Sequence, residues 1–156
     1  MKKIKYYLDT TIFNFVFADV ESEKKEITKK LFRDLSVIAE GIYVSSEVIR
    51  EISRAPEPRR SELEGLVRET NPLLLEVDIE TEELAERYVK EGIIPVKYRS
   101  DAIHIAVAVI NGIEVIISWN FEHIVKLKTR LMVNGVNRLS GYHEIEICSP
   151  EEVIES

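Results

Sequence analysis

Five acidic or amide side chains stand where the hydrophobic pattern predicts a strand to end or a helix to begin. They are Asp9, Glu47, Glu51, Asp101 and Asn120. Carboxylate and amide oxygens are the ligands that Mg²⁺ and Mn²⁺ prefer, and grouped carboxylates repel one another unless a cation or a proton intervenes. One or two such ions activate water and stabilise charge in phosphodiester hydrolysis. The residue types therefore indicate a metal-dependent hydrolase of phosphodiesters.

Each of these residues also has an ordinary structural interpretation. Asp9, before Thr10 and Thr11, is suited to cap a short helix. Glutamates four positions apart on one helix face are usually solvated charges. An aspartate at a helix start gains from the helix dipole, and an asparagine after a strand is a common turn residue. The functional interpretation therefore depends on all of them meeting at one place.

The elements that must bring them together alternate between strand and helix along the chain. Predicted strands span 4–8, 42–45, 73–77, 113–118 and 145–147, and predicted helices span 11–18, 22–40, 46–54, 81–91, 101–110 and 121–133. Two further helices are predicted to begin near 61 and 150. This order predicts an α/β fold, a three-layer α/β/α sandwich with a mostly parallel central sheet, in a single domain over residues 1–156. Ligands of such sheets bind beyond the carboxyl ends of the strands, where the five side chains are predicted to lie.

Several residues predict where individual helices begin or end. Gly41 is expected to stop the helix 22–40, and Ser46 to cap the next one. Ser61 with Glu64 has the spacing of a capping box. Ser149 followed by Pro150 predicts a final short helix with proline in its first turn.

Composition narrows the class of protein. The 156 residues are 45% hydrophobic and 31% charged, with a net charge of −7 and a pI near 5.1. A globally basic nucleic-acid binder is therefore excluded, although a local basic rim is not. No apolar run has the length of a membrane span, and the single cysteine, Cys148, fits a reducing compartment. We therefore expect a soluble, cytoplasmic protein without a membrane partner.

Three histidines leave a zinc hydrolase open as an alternative. His104 is expected to share a helix face with Asp101, and His123 and His143 follow later in the chain. Their spacing matches no compact zinc motif, and a histidine on an apolar helix is more often a hydrogen-bonded core residue. The zinc interpretation is therefore the weaker one.

Four short motifs in order make the chain resemble a PIN domain, similar to the small prokaryotic proteins related to VapC-type toxins. They are Asp9-Thr10-Thr11, Glu51-Ile52, Asp101-Ala102-Ile103-His104-Ile105-Ala106 and Ser118-Trp119-Asn120-Phe121. The resemblance implies a three-layer α/β/α fold and a Mg²⁺- or Mn²⁺-dependent endoribonuclease. It also implies a homodimer and, for a true toxin, an antitoxin partner.

The resemblance assigns a role to each matching position. Asp9, Asp101 and Glu51 correspond to the family's acids, with Glu47 as the fallback for the second acid, and Asn120 stands at the fourth acidic position. These residues would bind the ion and catalyse the attack of water on RNA, leaving a 5′-phosphate and a 3′-hydroxyl. Ser118 would help to position a ligand, a water or the phosphate.

One departure from the family pattern weakens the assignment of activity. Many members have aspartate where this chain has Asn120, and a further aspartate where it has Glu122. An amide oxygen can bind Mg²⁺ but adds no charge. The alternative is therefore a catalytically degenerate PIN domain that binds RNA or a protein without cleaving.

Three features remain open between functional and ordinary interpretations. Basic residues near the predicted site could form a rim that attracts phosphates, or belong to a generally charge-rich surface. They are Arg50, Arg54, Arg59, Arg60, Lys97, Arg99, Lys126, Lys128 and Arg130. Trp119 could stack on an unpaired base or anchor its loop to the core. The apolar run from Ile12 to Phe17 could supply part of a subunit contact or pack in the core.

Overall fold

Five parallel strands form one sheet in the computed structural model, which describes residues 3–18 and 22–154. The strands are β1 (Ile4–Leu8), β2 (Ala39–Ser45), β3 (Leu73–Leu75), β4 (Val115–Ile117) and β5 (Glu146–Cys148). Their spatial order is β3-β2-β1-β4-β5, and every neighbouring pair is parallel. This arrangement confirms the predicted α/β fold with a parallel sheet.

Helices connect successive strands, as parallel pairing requires. They are α1 (Thr10–Val16), α2 (Glu23–Ile38), α3 (Ser46–Ser53), α4 (Arg59–Thr70), α5 (Ile79–Lys90), α6 (Arg99–Ile110), α7 (Leu127–Leu139) and α8 (Pro150–Val153). A 3-10 turn at Val96–Tyr98 precedes α6. Helix α5 packs on α6 and α7, whereas α1, α2 and α8 pack together. The two groups form the outer layers of the predicted three-layer sandwich.

The core lies at the centre of the sheet, where β1 and β4 pair. Leu8, Ile116 and Ile117 are fully buried. Helix α6 is buried from Ala102 to Val109, because its sequence is apolar on nearly every side. The carboxyl ends of β1 and β4, and the first turn of α6, are therefore held by the most tightly packed part of the molecule.

The boundary between α2 and β2 differs from the prediction. Helix α2 ends at Ile38 and β2 begins at Ala39, so Gly41 lies inside the strand instead of stopping the helix. A Cβ at Gly41 would come within 2.9 Å of the Tyr43 ring. Gly41 therefore makes room for the tyrosine two residues along the same strand face.

Helix α7 was predicted too early in the chain. Residues 121–126 form turns, and the helix spans Leu127–Leu139 instead of 121–133. The backbone carbonyl of Asn120 accepts hydrogen bonds from the amides of Ile124 and Val125, and its side chain accepts one from His123. These bonds close a turn that competes with the helix.

Helix caps were predicted with mixed success. Ser45, one residue before the predicted Ser46, caps α3. The capping box at Ser61 is wrong, because α4 begins at Arg59 and the Ser61 hydroxyl donates to Glu57 inside the first turn. The prediction of a final helix with Pro150 in its first turn after Ser149 is confirmed, and Glu152 completes a capping box there.

The aromatic segment of α1 packs mainly into the core. Ile12 and Phe13 are fully buried, and Phe15 packs against Trp119 with ring centroids 5.5 Å apart. The homodimer thus remains a prediction. In the part of the chain that the structure describes, no helix combines the length and apolarity needed to cross a membrane.

Candidate active site

Asp9 lies at the carboxyl end of β1 and joins three segments of the chain. One carboxylate oxygen accepts hydrogen bonds from the Thr11 amide at 3.1 Å and from its hydroxyl at 2.5 Å, which caps α1. The other accepts a hydrogen bond from the Ser118 hydroxyl at 2.5 Å, at the end of β4. Only 2% of Asp9 is exposed. Asp9 therefore caps α1 and also lies close to other candidate residues.

A hydrogen-bond chain leads from Asp9 to Asp101. The backbone amide of Asn120 donates to the Ser118 hydroxyl at 2.9 Å, and the side-chain oxygen of Asn120 accepts a hydrogen bond from the His123 backbone amide at 2.9 Å. Nδ1 of His123 lies 3.0 Å from the carboxylate of Asp101. Strands β1 and β4 and helix α6 thus deliver Asp9, Asn120 and Asp101 to one end of the sheet.

Glu51 lies on α3 and faces the same region through a buried histidine. Its Oε1 accepts a hydrogen bond from the Thr10 hydroxyl at 2.8 Å and lies 2.5 Å from Nε2 of His104. The other ring nitrogen of His104 is 2.7 Å from the Tyr7 hydroxyl, which in turn contacts Ser45 at 2.8 Å. Glu51 is therefore held by partners from α1 and α6, and the α6 partner is in turn held by Tyr7 of β1.

Glu47, the alternative second acid, lies in a different network. It is 4% exposed and accepts hydrogen bonds from Nε and Nη2 of Arg50. The Ser100 hydroxyl donates to it at 2.5 Å. This carboxylate therefore joins α3 to the start of α6, and its partners differ from those of Glu51.

Burial and neighbouring charges shift the pKa values of the acids in opposite directions. Burial raises the pKa of Asp9 and of Asp101 above the usual range, and the nearby His104 only partly offsets the effect. Burial also acts to raise the pKa of Glu51, but the bond to His104 and its charge outweigh it and the pKa is lowered. Asp9 and Asp101 thus gain from a cation that would favour their charged forms.

Histidine 104 shows the complementary shift. Burial acts to lower its pKa, but the hydrogen bond to Glu51 and the charges of Glu51, Asp9 and Glu47 outweigh burial and raise it. The imidazole therefore balances part of the negative charge that gathers at this end of the sheet. Sequence reasoning placed His104 on the core side of its helix, and 2% exposure agrees with that placement.

The oxygen ligands do not form a preassembled metal cluster. Within residues 3–18 and 22–154, no group of three or more acidic, histidine or cysteine side chains is close enough to hold a metal ion. Asp9, Glu51, Asp101 and Asn120 nevertheless offer only oxygen atoms, the donor set that suits Mg²⁺ or Mn²⁺. The chemistry of the donors fits such an ion, and each carboxylate is at present occupied by hydrogen bonds.

The three histidines do not converge, so the zinc alternative gains no support. His104 contacts Tyr7 and Glu51, whereas His123 contacts Asp101. His143 lies against the backbone carbonyls of Glu144 and Val109. A zinc site requires its ligands in one shell, and these rings belong to separate networks.

The predicted basic rim is largely paired with acidic residues. Besides Arg50 with Glu47, these pairs are Arg59 with Glu62, Arg60 with Glu57, Arg99 with Glu86 and Arg130 with Glu152. Lys128 donates to the carbonyl of Gly92. Most of these cations therefore belong to a charge-rich surface, and a continuous basic rim is not supported.

Trp119 anchors its loop. The residue is 4% exposed, and its indole nitrogen donates to the Thr28 hydroxyl at 2.8 Å. The backbone amide of Trp119 also donates to the Thr11 hydroxyl. A buried indole with a satisfied donor cannot offer its face to a base, so the anchoring interpretation is correct.

Sequence reasoning missed several polar residues around the site. Tyr7, Thr10 and Ser45 all contribute hydrogen bonds to the Glu51 network, and each lies beside a strand end. Tyr7 was predicted only as part of the first strand. Nothing in its spacing indicated that its hydroxyl would contact His104, 97 positions later. The hydroxyl residues next to the predicted acids were the one available signal.

A parallel α/β sheet with acids at the carboxyl ends of its strands defines the class of this molecule, and the family model for the PIN domain matches residues 6–123. The chain therefore belongs to the PIN domain family. No curated protein sequence matches the chain.

Three solved structures share the fold. VapBC2 of Rickettsia felis, bound to a promoter DNA fragment, has a TM-score of 0.57 at 13% identity, covering 94% of this chain and 98% of that one. VapC20 of Mycobacterium tuberculosis, a toxin that cleaves the sarcin-ricin loop, has a TM-score of 0.54 at 15% identity, covering 71% and 86%. DNA-bound VapBC of Salmonella typhimurium has a TM-score of 0.53 at 18% identity, covering 94% and 98%. Likeness at these identities concerns the fold alone.

Proposed function

We propose that this PIN domain is a Mg²⁺- or Mn²⁺-dependent endoribonuclease that hydrolyses RNA phosphodiesters. Asp9, Glu51, Asp101 and Asn120 would hold the ion and form the catalytic site. Membership of the PIN family supports the proposal. The similarity in fold to a toxin that cleaves the sarcin-ricin loop is consistent with RNA as the substrate.

The observation that carries the proposal is the chain of hydrogen bonds from Asp9 through Ser118, Asn120 and His123 to Asp101. It links two buried or half-buried acids that lie 92 positions apart in the sequence. Burying carboxylates at one end of the sheet opposes folding, so a function at that end explains why these residues are present. The chain of donors would keep them oriented toward a common ligand.

The surrounding residues have distinct roles in this proposal. When bound, Mg²⁺ or Mn²⁺ supplies Lewis-acid stabilisation of the phosphate charge and activates water for attack. Ser118 orients the carboxylate of Asp9, while Thr10 and His104 orient that of Glu51. The Asn120 side chain acts to lower the pKa of Asp101, against the effect of burial, without adding a further negative charge.

We also propose that the protein acts with an antitoxin, as the toxin of a toxin–antitoxin pair, and forms a homodimer in the cytoplasm. Two of the structures that share its fold are VapBC complexes, which supports a protein partner of the antitoxin kind. Copurification of the chain with the product of a neighbouring reading frame would test the partner. Sedimentation equilibrium of the purified chain would test the dimer.

The direct test is cleavage of a mixed RNA pool by the purified protein with Mn²⁺, Mg²⁺, Zn²⁺ or EDTA. Fragments should form with Mn²⁺ or Mg²⁺ alone, and Asp9→Asn and Asp101→Asn should reduce cleavage to the EDTA level. Both variants should keep a melting temperature within a few degrees of the wild type, because the amide removes a buried charge. Asp78→Asn is the matched control, since the Asp78 carboxylate caps α5 by accepting hydrogen bonds from Thr81, and asparagine also caps helices.

Asn120 favours a second candidate, a PIN domain that binds RNA or a partner protein without cleaving it. The amide lowers the negative charge available to an ion, and the described acids do not form a preassembled cluster. Absence of metal-dependent fragments from the wild type, with retained RNA binding, would favour this candidate over the endoribonuclease.

A further inference from the structure

Two exposed aromatic rings flank the candidate active site. Tyr98 precedes α6, three residues before Asp101, and Phe121 follows Asn120 directly. Tyr98 is 39% exposed and Phe121 is 42% exposed, whereas the neighbouring Trp119 is buried. Large aromatic side chains tend to be buried, so two partly exposed rings beside one polar site call for an explanation.

Tyr98 is tied to the site through a histidine. Its ring lies 4.2 Å from the ring of His123, measured between centroids, with the planes inclined by 34°. Nδ1 of His123 contacts the carboxylate of Asp101 at 3.0 Å. The Tyr98 ring therefore packs on His123, which contacts Asp101, a proposed ligand of the ion.

Phe121 is supported in a similar way on the other side of Asn120. Its ring meets the buried indole of Trp119 edge-on, with centroids 5.9 Å apart. The indole is itself fixed by its bond to Thr28. The Phe121 ring thus packs against an indole that is itself anchored to the core.

Each ring also has an ammonium group over it. Nζ of Lys97 lies 5.8 Å from the centroid of the Tyr98 ring, and Nζ of Lys24 lies 5.0 Å from that of Phe121 and 5.3 Å from that of Trp119. An exposed aromatic face next to an ammonium group is the combination that holds an unpaired nucleotide, with the base on the ring and the phosphate near the cation.

We propose that Tyr98 with Lys97, and Phe121 with Lys24, form two stacking platforms that hold unpaired bases on either side of the phosphate presented to the site. This inference rests on the proposed function and adds to it the residues that bind the bases next to the scissile phosphate. Bases in an RNA duplex are stacked on one another and cannot reach either ring.

The test measures RNA binding in a background that does not cleave. Asp101→Asn protein with Mg²⁺ is titrated with a fluorescent single-stranded RNA, with and without the additional substitutions Tyr98→Ala and Phe121→Ala. Each additional substitution should weaken binding about tenfold, which corresponds to about 1.4 kcal/mol. Affinity for the same RNA annealed to its complement should be low and should not change.

Matched variants separate stacking from loss of bulk. Tyr98→Phe should retain binding and Tyr98→Leu should lose it, because leucine has apolar volume but no aromatic face. Tyr142→Ala, which removes a ring that hydrogen-bonds Glu80 outside the site, should bind as tightly as the parent. A 2-aminopurine base in the RNA should be quenched on binding to the parent and less quenched with Tyr98→Leu.

The outcomes distinguish this proposal from that of the nuclease. Equal binding by Tyr98→Ala, Phe121→Ala and Tyr142→Ala would overturn the stacking platforms, even if the wild type cleaves RNA. Loss of binding in the two site variants supports the platforms, even if the wild type cleaves nothing. Thermal melting of every variant shows whether a loss reflects unfolding, and Tyr98→Leu with a wild-type melting temperature but weak binding excludes that cause.

Discussion

Nε2 of His104 lies 2.5 Å from Oε1 of Glu51, and this contact ties the buried helix α6 to α3. The histidine is 2% exposed, and its other nitrogen meets the Tyr7 hydroxyl. A half-exposed carboxylate is thus oriented by a fully enclosed ring. The position of Glu51 depends on the core as well as on its own helix.

Replacing His104 with phenylalanine keeps Glu51 but removes the ring that positions it. The variant therefore tests the positioning of Glu51 alone. His104→Phe removes both hydrogen bonds, so we expect the free energy of unfolding to fall by about 1–3 kcal/mol. The Mn²⁺ concentration for half-maximal cleavage should rise roughly 10–100-fold, since an outer residue that orients a ligand has been lost. Urea unfolding and a Mn²⁺ titration of cleavage measure the two effects.

Tyr7→Phe is the control for that experiment. It removes the hydroxyl that contacts His104 and Ser45 but leaves the contact between His104 and Glu51. We expect a comparable loss of stability and a smaller change in the Mn²⁺ requirement. An equal change in both variants would show that general loosening, and not the orientation of Glu51, sets the metal requirement.

The two glutamates of α3 should behave differently when each loses its charge. Glu51→Gln should abolish metal-dependent cleavage, whereas Glu47→Gln should retain most of it, because Glu47 is occupied by Arg50 and Ser100. Initial rates of RNA cleavage in Mn²⁺ compare the pair directly. The reverse result would assign the second acid to Glu47.

The stability contributed by Glu47 should depend on pH. Burial acts to raise its pKa, but hydrogen bonds from Arg50 and Ser100 outweigh burial and lower it below 4.5. A lowered folded-state pKa stabilises the protein above pH 4.5, and this contribution disappears as the pH falls through the folded-state value.

We therefore expect Glu47→Gln to lower the free energy of unfolding by about 1.5 kcal/mol at neutral pH, with the half-exposed Arg50 limiting the loss. The difference from the wild type should vanish in acid. Urea titrations of both proteins across the acid range give the curve. A difference that is constant with pH would indicate lost packing instead of lost charge.

Asn120→Asp should make the site more dependent on a cation. The side chain of Asn120 acts to lower the pKa of Asp101, whereas a carboxylate at position 120 would repel that of Asp101. The melting temperature without divalent ions should therefore fall, and Mn²⁺ should raise it more than in the wild type. Cleavage should increase in the same variant, and Asn134→Asp on α7 serves as the control for an added charge elsewhere.

Most of the fold was predictable because its elements have strong periodic patterns. The buried run ending at Ile117 and the apolar helix around Ile105 leave few alternatives for their structure. The starts of β2 and α7 were not predictable, because they depend on contacts outside the local sequence. Gly41 leaves the space that the Tyr43 ring occupies, and Asn120 closes a turn with both its backbone and its side chain.

Prediction of the candidate site was limited in the same way. The alternation of strands and helices predicts a parallel sheet. Such a sheet predicts that Asp9 and Asp101 lie near one of its ends. The partners that orient the acids do not follow from it. The Tyr7 hydroxyl and the His104 ring meet only through the tertiary fold, and a single sequence contains no signal for that pairing.

The all-parallel sheet also has a consequence for how the chain folds. No strand can form a hairpin with its successor, so each pairing must wait for the intervening helices, a topology that folds slowly. Asp9 emerges early during synthesis, but its partner Ser118 and the linked Asn120 follow more than a hundred residues later. An incomplete polypeptide therefore carries the first acid without the strand that completes its surroundings, and the acids assemble only once β4 has inserted beside β1.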